Sequence, residues 1–366
     1  MSQRILQPGE IEALDRTAFP RIILPQPDRL LPERAARLRH LAVDSHLGAF
    51  LRYLARLVDA QHAVLAQVPV LPQIDDELLD RAQRNAMPLW LMPEDLDPSW
   101  QPVMQSIVAH LLNGPGAAEN SEVEREVLTG MQGMSLLELD SLLVSLWGSG
   151  PLDETQRVRA PIVMAAVQLV MMCRAARLNL KTLPYVDPPT VCPVCGSAPL
   201  ASVVQIGGQV DGLRYLHCSV CETEWHMVRV KCSNCASTEG ISYRRLERVE
   251  AELQSRDEQV RASSEAAARM LDPCTAELCD VCGSYSKVFD RRRDPQLDVL
   301  ADDLGTLMLD VVMGHTGHPR AGSNPFLFPE ETASDEATVQ AEQESHEDRD
   351  LLSASGQEGS TTGRLH

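Results

Sequence analysis

Eight cysteines between Val191 and Ser286 stand as four Cys-x-x-Cys pairs: Cys192/Cys195, Cys218/Cys221, Cys232/Cys235 and Cys279/Cys282. Two residues between thiols allow a tight turn that points both sulfurs at one ion, the knuckle from which tetrahedral thiolate sites are built. Four knuckles make two sites of four sulfurs each. Spacing suggests the partnership: 22 residues separate the first pair from the second, 43 the third from the fourth, and only 10 the second from the third. The longer gaps hold a hairpin or more, and the short one reads as a link between modules. Sequential pairing is therefore favoured, with Cys192, Cys195, Cys218 and Cys221 in the first site and Cys232, Cys235, Cys279 and Cys282 in the second. Spacing alone leaves a cross-braced pairing open.

A single Cys-x-x-Cys is a redox motif as often as a metal site, but four in so short a stretch point to metal. Structural disulfides are the alternative, and compartment weighs against them. The opening MSQRILQPGEIEALDRTAFP is polar, without an apolar core or twin arginines, so a cytoplasmic protein is expected, where disulfides are disfavoured. Modules of about 40 residues bury too little apolar surface to fold unaided, so metal binding would supply the missing stability. The local pattern fits small β-ribbons. Ala201 to Ile206 reads as a strand, Gly207 and Gly208 as a turn, Leu213 to His217 as the return strand, and His226 to Lys231 as a lead into the third knuckle. Gly196 and Gly283 follow their knuckles, where positive φ lets amides approach thiolates; Glu222 and Ala236 hold the equivalent places in the other two. Each site thus combines one glycine knuckle with one that lacks it.

The run CPVCGSAPLASVVQIGGQVDGLRYLHCSVCETEWHMVRVKCSNC, the later CDVCGSY, the segment VLADDLGTLMLD and the NPFLFP motif together resemble the formate dehydrogenase accessory protein family FdhE. In organisation the resemblance spans about residues 30 to 329, and it is close from Cys192 to Tyr243. It implies a non-catalytic cytoplasmic protein needed to make active respiratory formate dehydrogenase. It also implies rubredoxin-like modules that bind iron through these cysteines, and contact with the formate dehydrogenase catalytic subunit before its twin-arginine export. Two features depart from the family: Leu246 to Asp272 lengthens the gap before the last knuckle, and an acidic tail follows Pro329.

The elements that must hold the knuckles are helical. The 366 residues are 44% apolar but only 4% aromatic, so a sizeable, mostly aliphatic core and two or three domains are expected. Pro32 reads as the opening of a long helix to about Val68, with Leu47, Leu51, Leu54, Val58, Gln61 and Leu65 on one face. His40, His46 and His62 have no ligand spacing and read as surface or half-buried residues. A short helix is expected at Asp76 to Asn85. Asp97-Pro98 starts another that stops at Asn113-Gly114, and Ser135-x-x-Glu138 is a capping box before a third. Pro161 reads as the start of the most apolar helix. Its apolar run to Cys173 is too short to cross a bilayer, so membrane insertion is not expected. Met164, Met171, Met172 and Cys173 read as core, and Cys274 as a bystander. Leu297, Leu300, Leu304, Leu307 and Val311 form one stripe of a C-terminal helix. The expected fold class is multidomain α plus small β. An N-terminal all-helical domain (1–185) precedes two rubredoxin-like or zinc-ribbon four-cysteine modules (186–230 and 231–294, the latter with a helical insertion at 246–272). A C-terminal helix segment (295–329) and a disordered acidic tail (330–366) complete the chain.

Composition separates the function classes. The net charge is -19, of which the tail contributes -8, and Thr190 to Arg245 carries five Lys or Arg against four acids before any thiolate is counted. Such a surface does not attract phosphate strongly, so a nucleic-acid-binding zinc ribbon is the weaker reading and no nucleic acid is expected as partner. There is no GxSxG, Walker A loop, HExxH or dinucleotide fingerprint, and four-thiolate sites leave no open metal position, so an enzyme is not expected. Rubredoxin-like electron transfer or redox sensing stays as a further alternative. Two metal ions are expected; the donor set accepts iron or zinc, and the family resemblance favours iron. Tyr215 and Trp225 are candidates for a partner-facing patch or, alternatively, the filling of a small core.

Overall fold

A computed structural model describes residues 19–43, 45–70, 74–148, 150–206, 212–246 and 271–328. The Gly207-Gly208 turn, all but the two ends of the 246–272 insertion and the acidic tail lie outside the described residues.

Among the described residues, seven α-helices precede the knuckles: α1 (Pro27–Leu41), α2 (Gly48–Val64), α3 (Asp76–Arg84), α4 (Trp100–Asn113), α5 (Glu122–Gln132), α6 (Leu136–Trp147) and α7 (Glu154–Ala176). Their starts are written in short side chains. Ser121 with Glu124, Ser135 with Glu138 and Asp153 with Gln156 form capping boxes, each pair satisfying two backbone N–H groups that a helix start leaves unpaired. The Asp153 box moves the start of α7 about two turns before Pro161, which lies inside the helix. Pro32 likewise sits inside α1, which begins at Pro27. Both prolines lie beyond the first turn, where each removes one i→i−4 bond from its helix. The expected single helix from Pro32 to Val68 is two helices, α1 and α2, which pack on each other. On α2, Leu51, Leu54, Val58 and Gln61 line the buried face, while His40, His46 and His62 are exposed.

Helix α7 is the centre of the helical part. It packs against α4, α2, α1, α6 and α5, and every residue from Ala160 to Cys173 is buried, the three methionines included. It is long and apolar enough to cross a membrane, but 78% of its most apolar window is buried inside the protein. An apolar surface all round matches a helix enclosed by neighbours. The Cys173 thiol in this core is pushed by burial up to about 11.

Among the described residues the knuckles belong to one mixed sheet of seven strands in the order β1-β4-β3-β2-β7-β6-β5. The strands are β1 (Ile22–Ile23), β2 (Pro199–Val204), β3 (Arg214–Cys218), β4 (Glu224–His226), β5 (Ile241–Arg244), β6 (Cys274–Cys279) and β7 (Ser284–Asp290). Two antiparallel ribbons, one per cysteine cluster, share an edge where β2 runs parallel to β7, with Ser202 opposite Val288 and Val204 opposite Asp290. A two-residue strand from the N-terminal lead-in, β1, closes the far edge on β4. Tyr215 and Trp225 are buried at 2% and 3% exposure. Their polar atoms donate to the Pro20 and Pro189 carbonyls at 2.6 and 2.8 Å. Of the two readings offered for them, partner-facing patch or core filling, the second describes where they lie: they fill the core between the first ribbon, the lead-in at Pro20 and the segment at Pro189.

After the sheet the expected C-terminal helix is broken into α8 (Val299–Gly305) and α9 (Leu307–Gly314). At Thr306 the backbone leaves helical geometry, and the buried face passes from Leu300 and Leu304 to Leu309 and Met313, leaving Val311 60% exposed. Two buried carboxylates account for this placement. Asp302 pairs with Arg37 of α1, and Asp303 takes Lys287 of β7 (3.1 Å), Arg320 and Asn324 (2.9 Å). Asn324 and the fully buried Phe326 carry the chain back over α8.

Gly322 meets the start of β2 so closely that a Cβ there would overlap the Pro199 carbonyl oxygen, with the Leu200 oxygen at 3.0 Å. Neither atom can retreat without bending the strand. Gly322→Ala should cost about 1–3 kcal/mol, read as a lower urea midpoint. Gly314→Ala, where a Cβ meets nothing within 4 Å, serves as the control and should be neutral or slightly stabilising.

Candidate metal centres

The four knuckles share one backbone design. Residues Gly196, Glu222, Ala236 and Gly283, each directly after the second cysteine of its pair, have φ of 72, 61, 60 and 65°. The left-handed turn folds the chain back, so that Cys192, Cys218 and Cys232 donate their N–H to the carbonyls of Ser197, Thr223 and Ser237 at 2.8–3.0 Å. Amides inside the loops point at sulfur. Val220 and Cys221 donate to Cys218 Sγ, and Asn234 to Cys232 Sγ, all at 3.4 Å. A left-handed non-glycine residue costs roughly 1–2 kcal/mol, so Glu222 and Ala236 stand against a local preference.

Two residues after every second cysteine comes a hydroxyl: Ser197, Thr223, Ser237 and Ser284. Three of them lie 3.1–3.4 Å from the sulfur of the nearby cysteine, and Ser237 instead accepts from the Glu239 amide. The repeat is therefore Cys-x-x-Cys-x-Ser/Thr, a signal present in the sequence beyond the cysteines alone.

The structure brings the cysteines together in sequential pairs. Cys192, Cys195, Cys218 and Cys221 form one cluster, and Cys232, Cys235, Cys279 and Cys282 the other, with the sulfurs of each within 4.8 Å of one another. Cross-bracing is not what the chain does. Four sulfurs about 2.3 Å from a central ion lie about 3.8 Å apart. The measured pairs fit: 3.5 Å for Cys192–Cys221, 3.3 Å for Cys195–Cys218, and 3.8 Å for both Cys232–Cys282 and Cys235–Cys279. The donor chemistry also suits an ion. Burial pushes the Cys192 and Cys218 thiols well above their ordinary range, so four thiolates there would need a cation between them to offset the buried charge. Both clusters could hold a metal. Cys274 is separate, 2% exposed, its thiol pushed by burial up to about 12.

The surroundings of the two clusters differ. Around the first, the segment after α3 runs along the first knuckle: Leu89, Trp90 and Met92 donate N–H to the carbonyls of Pro193, Val194 and Cys195 at 3.0, 2.9 and 3.3 Å. Arg174 of α7 lies 4.0 Å over the Trp90 ring and fixes this segment. The second knuckle is held through Glu222. Its buried carboxylate receives Arg34 of α1 at 3.0 and 2.6 Å, the His217 ring at 2.8 Å and Gln168 of α7 at 3.2 Å. Arg34 also spans to Asp298, the cap of α8, at 3.0 Å, and Gln168 to the Ser219 carbonyl at 2.7 Å. From His217 the pairing continues to Glu224 at 3.3 Å and on to Arg291 at 3.2 Å. Burial alone would raise the Glu222 carboxyl, but Arg34 and His217 hold it down to about 2. Burial would lower His217, but Glu222 and Glu224 raise it to about 9. The strained Glu222 is thus the point where α1, α7, the first ribbon and α8 meet.

Sequence reasoning passed over Arg34, His217 and Asp298, and met Glu222 only as a place lacking glycine. A signal was available for Arg34: it falls among Leu31, Ala35 and Leu38 on the buried stripe of α1, where a cation demands a buried anion. At the second cluster the corresponding buried pair is Arg214 of β3 with Glu277 of β6 at 2.9 Å; Glu277 also accepts from Ser233 N at 3.4 Å and Tyr243 at 3.0 Å.

Comparison with known proteins follows this division. Three family models match: FdhE, N-terminal, at residues 19–187; FdhE, central domain, at 191–229; and FdhE, C-terminal domain, at 230–327. A protein named FdhE homolog from Cronobacter sakazakii is 36% identical over 338 residues, covering 90% of this chain and 99% of that protein. Protein FdhE of Escherichia coli is 35% identical over the same shares. The crystal structure of the FdhE protein from Pseudomonas aeruginosa superposes with a TM-score of 0.69 at 28% identity, covering 85% of this chain and all of that one.

Proposed function

The chain belongs to the FdhE family, whose members are formate dehydrogenase accessory factors, and on that premise we propose that it is a non-catalytic cytoplasmic maturation protein that binds the formate dehydrogenase catalytic subunit before export. The observation that carries this reading is the run of three family matches through residues 19–327, with all eight knuckle cysteines inside the central and C-terminal matches. We assign Cys192, Cys195, Cys218 and Cys221 as ligands of one ion and Cys232, Cys235, Cys279 and Cys282 as ligands of a second, with iron favoured over zinc by the family. A bound ion supplies a cross-link between two knuckles and, if it is iron, one-electron chemistry. The chain's own residues do the rest. The loop amides and the hydroxyls of Ser197, Thr223 and Ser284 stabilise sulfur charge, and Glu222 ties the first cluster to the helical body. Four sulfurs around an ion leave no position for a substrate water, which supports a binding role over a catalytic one.

Affinity capture of this protein from anaerobically prepared cytosol, with mass spectrometry and metal analysis of the same sample, tests the reading. The expected outcome is the formate dehydrogenase catalytic subunit, its export signal still attached, together with iron. Nucleic acid or transcription machinery in its place, with zinc in both clusters, would overturn it.

A further inference from the structure

The two clusters have the same ligand set, but their access to solvent differs. All four sulfurs of the first belong to residues with 0% exposure. Both of its knuckles are covered by other parts of the chain, the first by Leu89 to Met92 and the second by Arg34 and Gln168. The second cluster has Cys232 and Cys279 buried, Cys282 partly open and Cys235 exposed. Its loops are open too. Asn234, Asp280 and Val281 are exposed, and a Cβ built on Gly283 meets nothing within 4 Å, whereas one on the equivalent Gly196 meets Leu91 and the Trp90 carbonyl at 3.3 Å. The polar cover on the open edge is the Asn234 side chain, 3.8 Å from Cys282 Sγ and 3.2 Å from the Ser284 hydroxyl.

We propose that the two clusters divide their labour: the first is a permanent structural centre, and the second is an exchange site that takes up and gives up its ion to soft sulfur ligands through the Cys235–Cys282 edge. The inference rests on the metal-binding reading above. Exchange is ligand substitution. The sulfur of an incoming thiolate forms a bond to the ion as the bond to Cys235 Sγ breaks, and the freed Cys235 thiolate takes a proton from water; no electrons change hands. The first cluster cannot begin this step while its sulfurs have no solvent contact, because attack there requires α1 and the 89–92 segment to separate from the knuckles. Opening of that kind carries its own free-energy cost and slows exchange in proportion.

The test uses the full-length protein loaded with zinc. Release is followed with the chelator 4-(2-pyridylazo)resorcinol, and each cysteine's alkylation by iodoacetamide is timed by mass spectrometry. Two equal release phases are expected, the slower by roughly tenfold or more, with Cys235 and Cys282 alkylated first and Cys192, Cys195, Cys218 and Cys221 last. Arg34→Met should speed the slow phase and leave the fast one unchanged. Release of both ions in one phase, or alkylation of the first cluster as early as Cys235, overturns the division of labour alone. A protein that takes up no zinc overturns the metal reading with it.

Discussion

Cys192→Ser is expected to abolish metal binding at the first cluster and to cost more than about 4 kcal/mol of stability, the largest effect of any single substitution considered. The sulfur has no solvent contact and lies 3.5 Å from Cys221 Sγ. A hydroxyl in its place is a poor metal ligand, and the remaining three buried thiols would have to carry protons in place of the ion. The loss spreads because Val194 and Cys195 accept backbone bonds from the helical part, and Cys221 is followed at once by Glu222. Cys282→Ser should also lose an ion, but from the second cluster only, leaving one metal per chain and a folded helical body. Metal content per chain, urea unfolding and capture of the client together check this. Both variants should bind the client less well, and two ions per chain in either would count against the ligand assignment.

Arg34→Met ranks second. Arg34 is fully buried and bridges Glu222 and Asp298 at once. Removing one side of a buried ion pair leaves charge without a partner and costs about 3–5 kcal/mol. Here His217 and Gln168 remain for Glu222, so the lower end of that range applies. Arg29→Met, which breaks the exposed Arg29–Glu33 pair, should leave the urea midpoint nearly unchanged. The double variant Arg34→Met with Glu222→Gln should recover part of the loss, because the orphaned carboxylate is gone. Equal urea midpoints for Arg34→Met and wild type would remove Arg34 from its place in the fold.

The knuckles themselves were legible because they are local chemistry: two cysteines and a tight turn need no distant partner to be recognised, whereas their grouping into two sites was only favoured by spacing. Most of the helices were legible for the same local reason, and the Ser135 box was placed correctly from four residues, but α5 with its own Ser121 box went unread. Helix starts at Pro27 and Glu154 were not, since Pro32 and Pro161 looked like first-turn prolines while Asp153 and Gln156 fixed one true start farther upstream. The joining of two ribbons through parallel β2 and β7 was invisible to patterning, because alternation within a strand says nothing of which edge it will meet. Tyr215 and Trp225 illustrate the same limit: an aromatic beside a knuckle reads alike whether solvent or the 19–23 lead-in covers it. Glu222 was hidden differently. Its left-handed backbone made it look like a defect, and only Arg34, on a helix far back in the chain, gives it a reason.

The pairing of β1 with β4 sets an order on synthesis. Ile22 leaves the ribosome before α1 to α7, yet its partner Trp225 is made only after all of them, and Arg34 waits as long for Glu222. While the chain is nascent, the α1 face bearing Arg34 and Arg37 has apolar surface and two cations to shield and no carboxylates with which to do so, since Asp298 and Asp302 come later still. Helical turns form in microseconds or less, whereas translation proceeds at about 5–20 residues per second, so the helices spend seconds as an open half-structure. The last knuckle, Cys279/Cys282, is synthesised after every other cysteine, which makes the more exposed cluster also the last that can be filled on a growing chain.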